Sequence, residues 1–350
     1  MSMTSLERVE AAMRLEEADR VPVWIRIIGG VGRVSGVKYG EVLRSGELAA
    51  RCALETHEMF GDDFLYAFLD TLVDSEGFGQ KSIFLENEAG YADRENLVIK
   101  SPDDYARLVP YEVTKAARCR ELIRMADVMA NERGAQVPVI AIVQEPLVTL
   151  GNMRGIEKLL VDCLRHPDAV RQGVEAVTDV IIDLSKALIK VGARYLLLCH
   201  DYGNQRMLSE KQFLAMERAG LARWHKAVKE AGAKIVIHSC GPTPYIDATF
   251  TIGDFDCFQL CYLPQGCASW AEFKAKYGRR ICILGPLVPT EAAMMKPEQL
   301  KAECRKHIET LGKGGGYILA PGCEFPGNAS MLNYRALVDA AREYGRYEVR

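Results

Sequence analysis

The 350-residue sequence lacks an excess of charge of either sign, because 44 lysines and arginines stand against 47 aspartates and glutamates, a net charge of −3. A nucleic-acid-binding protein usually carries a basic excess or stripe, so no nucleic acid partner is expected. No apolar run is long enough to cross a membrane. The amino-terminal segment lacks a secretory signal pattern; Thr4 and Glu7 instead form a capping-box pattern that predicts an amphipathic helix. These absences predict a cytoplasmic globular protein.

A disulfide framework is also poorly supported, although the sequence has 11 cysteines. Their number is odd, they are scattered, and no export signal directs the chain to an oxidising compartment. We therefore expect most of them to be reduced and to act as small, buried apolar residues. A cysteine with a chemical task has to be identified by its position in the fold.

The sequence does contain a regular alternation of short apolar segments and longer helical patterns. The eight apolar segments span residues 21–28, 63–70, 137–143, 193–199, 233–240, 255–262, 280–287 and 316–323. The helical patterns include residues 40–59, 116–133, 153–190, 209–231, 297–311 and 333–346. Eight strand–helix repeats that end in a helix predict an α/β protein with a (β/α)8 TIM barrel. A doubly wound open sheet is the alternative, but the sequence has no clear nucleotide-binding fingerprint to support it.

One segment is longer than a barrel repeat requires. Residues 74–115 predict an elaborated loop or hairpin after strand 2 of the barrel. No linker rich in serine and proline and no low-complexity tract divides the chain. Residues 1–350 are therefore predicted to form a single (β/α)8 barrel domain.

Functional residues of a TIM barrel lie at the carboxyl ends of the strands and in the loops that follow them. The polar and sulfur-bearing residues at those predicted positions are Arg26, Arg33, Asp70, Glu76, Gln144, Glu145, His200, Asp201, His238, Cys240, Cys261 and Cys323. This set limits the search for a site to one end of the barrel.

Two carboxylates in this set are the candidates for catalysis. Asp201, in the segment CHDYGNQ (199–205), and Glu145, in VQEPL (143–147), could transfer protons. The alternatives are a capped strand end with His200 facing away, and an ion pair between Glu145 and a neighbouring arginine. The candidates for substrate binding are Arg26, Asp70, Gln144 and Tyr202.

The segment IVIHSCG (235–241) ends a predicted strand with two possible metal ligands. Side chains two residues apart on a strand share a face, so His238 and Cys240 point the same way. Cys323 ends the last apolar segment, and strand ends of a barrel converge on one mouth. An imidazole and two thiolates are typical ligands of tetrahedral Zn²⁺. The sequence therefore favours a zinc site over three separate core residues satisfied by backbone hydrogen bonds.

The glycine-rich segment GGVGRVSG (29–36) does not support nucleotide binding. Counted from Gly30, the sixth position of a dinucleotide fingerprint is Ser35 instead of glycine, and no helix is predicted to open there. A flexible loop that could close over the barrel mouth is the better interpretation.

Several segments together resemble the uroporphyrinogen decarboxylase superfamily, and more narrowly its corrinoid-dependent methyltransferase branch. They are RVPVWIRIIGGVGR near the start, FLDTLVDSEGFG at the second strand, LSEKQFLAM before the long helix, HSCG, KGGGYILAPGCEFP and NYRALVDAAREYG. The resemblance implies a (β/α)8 barrel with zinc held by His238, Cys240 and Cys323. It also implies that a methyl group moves between the cobalt of a corrinoid and a small methylated substrate or a thiol.

The cobalamin is expected on a separate corrinoid protein. A base-off cobalamin motif has an Asp-x-His-x-x-Gly core, and the nearest match here, ETHEMFG (55–61), lacks the aspartate and misplaces the glycine. The implied partners are therefore a corrinoid protein and a small methyl donor or thiol acceptor.

Two departures from the family pattern bear on the reaction. LAPGCEFP stands where porphyrin decarboxylases carry NLGHG, which argues against porphyrin decarboxylation. The sixth strand reads FQLCYLPQG, without the glutamate that thiol methyltransferases often place near the metal, so Gln259 or Cys261 could substitute for it. The missing glutamate slightly favours a methylated, perhaps methoxylated, donor. A decarboxylase and a non-catalytic metal- or corrinoid-carrier-binding module are the alternatives.

Overall fold

The computed structural model describes residues 3–347. Its strands are β1 Leu65–Ala67, β2 Ser82–Ile83, β3 Tyr91–Ala92, β4 Val139–Gln144, β5 Tyr195–Cys199, β6 Lys234–Ser239, β7 Cys257–Leu260, β8 Cys282–Leu287 and β9 Tyr317–Pro321. The helices of the first half are α1 Ser5–Met13, α2 Val31–Ser35, α3 Tyr39–Val42, α4 Gly46–Phe60, α5 Val73–Gly77, α6 Ala117–Arg133, α7 Pro146–Arg154, α8 Ile156–Arg165 and α9 Pro167–Lys190. Those of the second half are α10 Glu210–Glu230, α11 Ile246–Thr249, α12 Trp270–Tyr277, α13 Pro289–Met294, α14 Pro297–Leu311 and α15 Met331–Tyr344.

Seven of the strands within these described residues form one parallel sheet in the order β1-β4-β5-β6-β7-β8-β9. All residues of β4, β5, β7, β8 and β9 are buried. Helices cover one face of these parallel strands and the barrel interior covers the other, so their sequences are continuous apolar runs. These segments could therefore be identified in the sequence.

The first apolar segment, residues 21–28, closes the sheet without forming a regular strand. Val23 pairs in parallel with Leu319 of β9, and the carbonyl of Val23 accepts a 2.7 Å hydrogen bond from the amide of Asp63 just before β1. The amides of Val23 and Ile25 donate to the carboxylates of Asp63 and Asp62, at 2.8 and 3.2 Å. These backbone amides donate to side-chain carboxylates instead of to the carbonyls of a neighbouring strand. The ladder of backbone hydrogen bonds between strands is therefore irregular here. The predicted (β/α)8 barrel is confirmed, with its first strand reduced to bridges.

Two predicted helices are wrong in their extent. The pattern over residues 153–190 is divided among α7, α8 and α9. Gly155 has φ of 85° at the first break, a conformation that favours glycine, and Pro167 opens α9 because proline fits the first turn of a helix and not its interior. The pattern over residues 40–59 is divided between the short helix α3 and α4, which begins at Gly46 after Ser45 caps it.

Other local predictions are confirmed. The extra segment 74–115 contains an antiparallel hairpin of β2 and β3 and the 3-10 helix Pro102–Arg107. The capping box of Thr4 and Glu7 starts α1.

The prediction of a helix-free glycine loop at residues 29–36 is wrong, because α2 forms a short helix within it. None of the helices described between residues 3 and 347 is long and apolar enough to cross a membrane.

Candidate metal centre

The register of the sheet brings the ends of four strands into one row. Gln144 on β4 pairs with Cys199 on β5, Cys199 with His238 on β6, and His238 with Gln259 on β7. Residues paired in register point to the same face of a sheet. The row therefore carries two carboxamides, a thiol and an imidazole into the barrel at its carboxyl end, where sites in this fold lie.

His238, Cys240 and Cys323 come together at this end. One ligand atom from each lies within 4.8 Å of the others. His238 is buried and both cysteines are partly buried. The ligand atoms of a tetrahedral zinc site lie about 3.5–3.8 Å apart, given the usual Zn–S and Zn–N bond lengths. The donor set of one nitrogen and two sulfurs fits zinc.

The two cysteines are coupled. A hydrogen bond from Cys240 lowers the pKa of the Cys323 thiol, and His238 and Arg26 act in the same direction. The same bond and burial raise the pKa of Cys240. Cys323 is therefore the sulfur that holds negative charge most readily, which suits a residue that binds a cation.

Arg26 lies beside the cluster in a strained backbone conformation. Its φ is 42°, and side chains rarely occupy this region outside functional or tightly constrained sites. Its Nη1 lies 3.0 Å from Nδ1 of His238 and donates to Oε1 of Gln259 at 2.5 Å. Its Nε is buried and has no hydrogen-bond partner within residues 3–347. The Nη1 atom thus supports the cluster, and the Nε atom is left without a protein partner in the described residues.

Neither proposed replacement for the missing glutamate belongs to the three-residue cluster. The carboxamide of Gln259 is bound on both sides, since its nitrogen donates to the carbonyl of Pro321 at 2.9 Å and its oxygen accepts from Arg26. Cys261 is buried, and burial raises the pKa of its thiol to about 12. A charge on Cys261 would interact with a charge on Cys323, so Cys261 lies near the cluster. The sulfur of Cys261 is nevertheless not one of the three atoms that lie within 4.8 Å of one another.

The loop after β5 presents Asp201 to the cluster. The Sγ atom of Cys240 donates to Oδ1 of Asp201 at 3.5 Å. Glu145 is buried behind this loop: its Oε1 accepts from the amide of Tyr202 at 2.6 Å, and its Oε2 lies 2.8 Å from Nδ1 of His200. Burial raises the pKa of Glu145 and lowers that of His200 to about 4. Glu145 therefore contacts the loop, and Asp201 contacts the candidate ligands.

Glu217 of α10 is a buried carboxylate that the sequence did not single out. It accepts a hydrogen bond from the amide of Leu147 at 2.7 Å, in the first turn of α7. Burial and the charge of Glu145 raise the pKa of Glu217. Its position in the middle of a long helix gave no signal, because only the packing of α10 on α7 reveals the contact.

Some of the remaining candidates have ion-pair or hydrogen-bond partners within the protein, and others have none among the described residues. Asp70 is paired at 2.7 Å with Arg118 of α6, which also binds Glu76 at 2.7 Å. Arg33 donates to the carbonyls of Gly327 and Ala329, at 2.5 and 2.9 Å. By contrast, Gln144 is 3% exposed and neither atom of its carboxamide has a hydrogen-bond partner in the described residues. The hydroxyl of Tyr202 is likewise buried without a partner there.

The fold and the cluster together define a TIM-barrel protein with a candidate His-Cys-Cys metal centre at its carboxyl end. The profile of the family described as uroporphyrinogen decarboxylase (URO-D) matches residues 4–344, so the chain belongs to that family. The resemblance noted in the sequence is therefore confirmed.

The relatives include transferases and decarboxylases. The methylcobamide:CoM methyltransferase MtaA of Methanosarcina barkeri is 23% identical over 347 residues, which cover 96% of this chain and 97% of the relative. The uroporphyrinogen decarboxylase of Actinobacillus succinogenes is 22% identical over 374 residues and is covered to 99%, as is this chain. A solved methyltransferase from Methanosarcina mazei superposes with a TM-score of 0.85 at 21% identity, over 98% of this chain and 99% of that one. These similarities support an enzyme and favour a methyltransferase.

Proposed function

We propose that this protein is a zinc-dependent methyltransferase that moves a methyl group between the cobalt of a corrinoid protein and a small thiol or methylated substrate. The observation that carries the proposal is the convergence of one ligand atom each from His238, Cys240 and Cys323 within 4.8 Å. The relationship to a methyltransferase named for a methylcobamide supports the corrinoid. In this proposal residues 1–350 form a single barrel domain, and the corrinoid protein docks over its mouth.

Zinc bound by these three residues would act as a Lewis acid that lowers the pKa of a substrate thiol or polarises a substrate oxygen. In the thiol direction, the substrate thiol would lose its proton and its sulfur would bond to the methyl carbon, while the electron pair of the methyl–cobalt bond would stay with the corrinoid. Asp201 would accept the proton; its Oδ1 lies 3.5 Å from Cys240 Sγ, which supports this role.

The other side chains would bind and orient the substrate. The free Nε of Arg26 and the unpartnered carboxamide of Gln144 are the strongest candidates, because buried polar groups without partners are costly unless a ligand completes them. Asp70 is occupied by Arg118 and would mainly shape the mouth. Glu145, through the amide of Tyr202, would position the loop that carries Asp201. Tyr202 remains a candidate for substrate binding; its buried hydroxyl lies beside Gly151 of α7.

The test combines metal content with methyl transfer. The purified protein should contain about one zinc per chain by emission spectroscopy. It should accelerate methyl transfer from methylcobalamin to thiols or, in reverse, from methoxylated compounds to cob(I)alamin. Cys240→Ala and Cys323→Ala should lose both properties, whereas Cys304→Ala, which removes a buried cysteine of α14, should keep both. Stoichiometric zinc in both of the first two variants would overturn the proposal.

Decarboxylation is the second candidate, because relatives named uroporphyrinogen decarboxylase cover almost the whole chain. Of the two arginines at the first strand, only Arg26 contacts the candidate cluster, and Arg33 is bound to backbone carbonyls. Turnover of uroporphyrinogen by metal-free protein, with no methyl transfer by the zinc-loaded form, would favour the decarboxylase.

A further inference from the structure

A cleft at the carboxyl end of the barrel is lined by Glu324, the residue after the candidate ligand Cys323. Its volume is about 600 Å³, and it lies between the loop after the first barrel segment, the turn of the β2–β3 hairpin and the loop after β9. Its lining residues are Gly29, Gly32, Arg33, Val37, Tyr39, Asn87, Glu88, Ala89, Glu324, Gly327 and Asn328. Glu324 is the residue that follows Cys323, so a ligand in the cleft can reach the metal centre through a short linker.

Glu324 supplies a carboxylate to this cleft. Its Oε1 accepts a 2.6 Å hydrogen bond from the amide of Gly29. Glu324 takes part in none of the ion pairs formed by residues 3–347. Arg33, the cation in the lining, is bound to the carbonyls of Gly327 and Ala329. Arg118, which lies close enough to influence Tyr39, is paired with Asp70 and Glu76. The charge of Arg26, which is outside the cleft lining, acts on Glu324 without forming an ion pair with it. The carboxylate therefore lines the cleft without a direct ion-pair partner among the described residues.

Tyr39 is a second, independent feature of the same cleft. It is 8% exposed, and within the described part of the chain its hydroxyl forms no hydrogen bond. Burial and the charge of Glu324 raise the pKa of Tyr39, so its hydroxyl keeps its proton at any ordinary pH. A hydroxyl that opens on a cavity and has no protein partner is satisfied by water or by a ligand. Its ring, which lies against Gly29 beside Glu324, also offers a face that attracts cations.

We propose that the cleft binds a cationic amino group of the substrate, with Glu324 and Tyr39 as its recognition residues. An ammonium group has three N–H donors, which the free oxygen of Glu324, the hydroxyl of Tyr39 and a side-chain carbonyl of Asn87 or Asn328 can accept. The inference rests on the proposed function and narrows it: the substrate class becomes aminothiols or their S-methylated forms. A thiol with a negatively charged tail would meet the carboxylates of Glu324 and Glu88.

Binding to the zinc-loaded protein tests this assignment without requiring turnover. Three probes share a two-carbon thiol and differ only in their tails: 2-mercaptoethylamine, 2-mercaptoethanol and 2-mercaptoethanesulfonate. Calorimetry should give the amine an affinity about tenfold above that of the alcohol, and the sulfonate the lowest affinity, because an ion-paired hydrogen bond contributes about that factor. Glu324→Gln should abolish the advantage of the amine and leave the alcohol unchanged.

A matched control keeps the result specific. Glu86→Gln removes an exposed carboxylate that is paired with Lys38 outside the cleft lining, and it should not change the ranking of the three probes. Tyr39→Phe should weaken the amine without reversing the ranking. Equal affinity for all three probes, or preference for the sulfonate, would overturn the inference and leave the thiol chemistry intact.

A failure of the proposed function has a different signature. In that case none of the three thiols would bind in a zinc-dependent way. Ethanolamine, which lacks a thiol, then tests the cleft alone: NMR titration should show binding to the wild type that Glu324→Gln weakens about tenfold. No difference between the two proteins would overturn the assignment of the cleft.

Discussion

The sulfur of Cys240 lies 3.5 Å from a carboxylate oxygen of Asp201, although the two residues follow different strands of the barrel. The contact forms because β5 and β6 are neighbours in register, with Cys199 paired to His238, so the loops that follow them leave the sheet side by side. A carboxylate is thereby fixed next to the candidate metal ligands by the sheet itself. Catalysis by Asp201 is accordingly the first prediction to test.

Asp201→Asn should lower methyl transfer to a thiol far more than it lowers zinc content. Removing a positioned proton acceptor typically costs about 10²- to 10⁴-fold in rate, and the amide cannot accept the proton. The rate should recover partly at high pH, where the thiol ionises without help. Turnover across pH and metal content measured on the same samples check this. Asp339→Asn, a surface change on α15, serves as the control. Equal turnover in the two variants would remove Asp201 from the reaction.

The barrel and the candidate cluster were readable in the sequence for a specific physical reason. Buried parallel strands are continuous apolar runs, and a barrel places the ends of all such runs at one mouth. His238, Cys240 and Cys323 could therefore be grouped, although Cys323 is far from the other two in sequence. This rule does not require the conformation of the loops, which the pattern of apolar runs does not reveal.

The partners of these residues could not be read in the same way. Arg118 lies on a helix whose pattern resembles a surface helix, and only the packing of α6 brings it to Asp70. Glu324 was overlooked beside Cys323 because its role depends on Gly29, which is almost the whole chain away. Tyr39 had no motif. Contacts that depend on how loops and outer helices pack leave no periodic signal in the sequence.

The irregular first barrel segment leads to a second prediction, on stability. Asp63 is fully buried and accepts from Arg8 at 2.6 Å, from Arg20 at 2.8 Å and from the amide of Val23. Asp63→Ala would remove the acceptor of the Val23 amide and the buried carboxylate shared by two guanidinium groups, of which Arg8 keeps Asp19 and Arg20 keeps the carbonyl of Val21. This loss should lower the free energy of unfolding by about 3–5 kcal/mol. Urea denaturation followed by circular dichroism measures the loss.

Asp168→Ala is the matched control for this change, since Asp168 also pairs with an arginine, Arg171, but on the exposed surface of α9. Exposed pairs contribute little, so the control should denature at the same urea concentration as the wild type. A similar midpoint for Asp63→Ala would show that the buried ion pairs do not hold the first segment in place.

Asp74 should make stability depend on pH in an unusual direction. Its buried carboxyl group accepts a hydrogen bond from Thr149 at 2.5 Å, and burial raises its pKa from 3.8 to about 6. A group whose pKa is higher in the folded state stabilises that state fully below its unfolded pKa, and this contribution is lost as pH rises through the folded value. Between about pH 4 and pH 6, therefore, this group alone should lower the free energy of unfolding by about 3 kcal/mol, at 1.36 kcal/mol per unit.

Asp74→Asn isolates that contribution from all other titrating groups, because asparagine keeps an acceptor for Thr149 and has no charge to bury. Subtracting the variant's urea-denaturation free energy from that of the wild type at each pH should give a difference that falls as pH rises from about 4 to 6 and is flat above about 7. At neutral pH the variant should be the more stable protein. Parallel curves over the whole range would mean that Asp74 ionises in the folded protein as easily as in the unfolded chain, so that its burial against Thr149 carries no electrostatic cost.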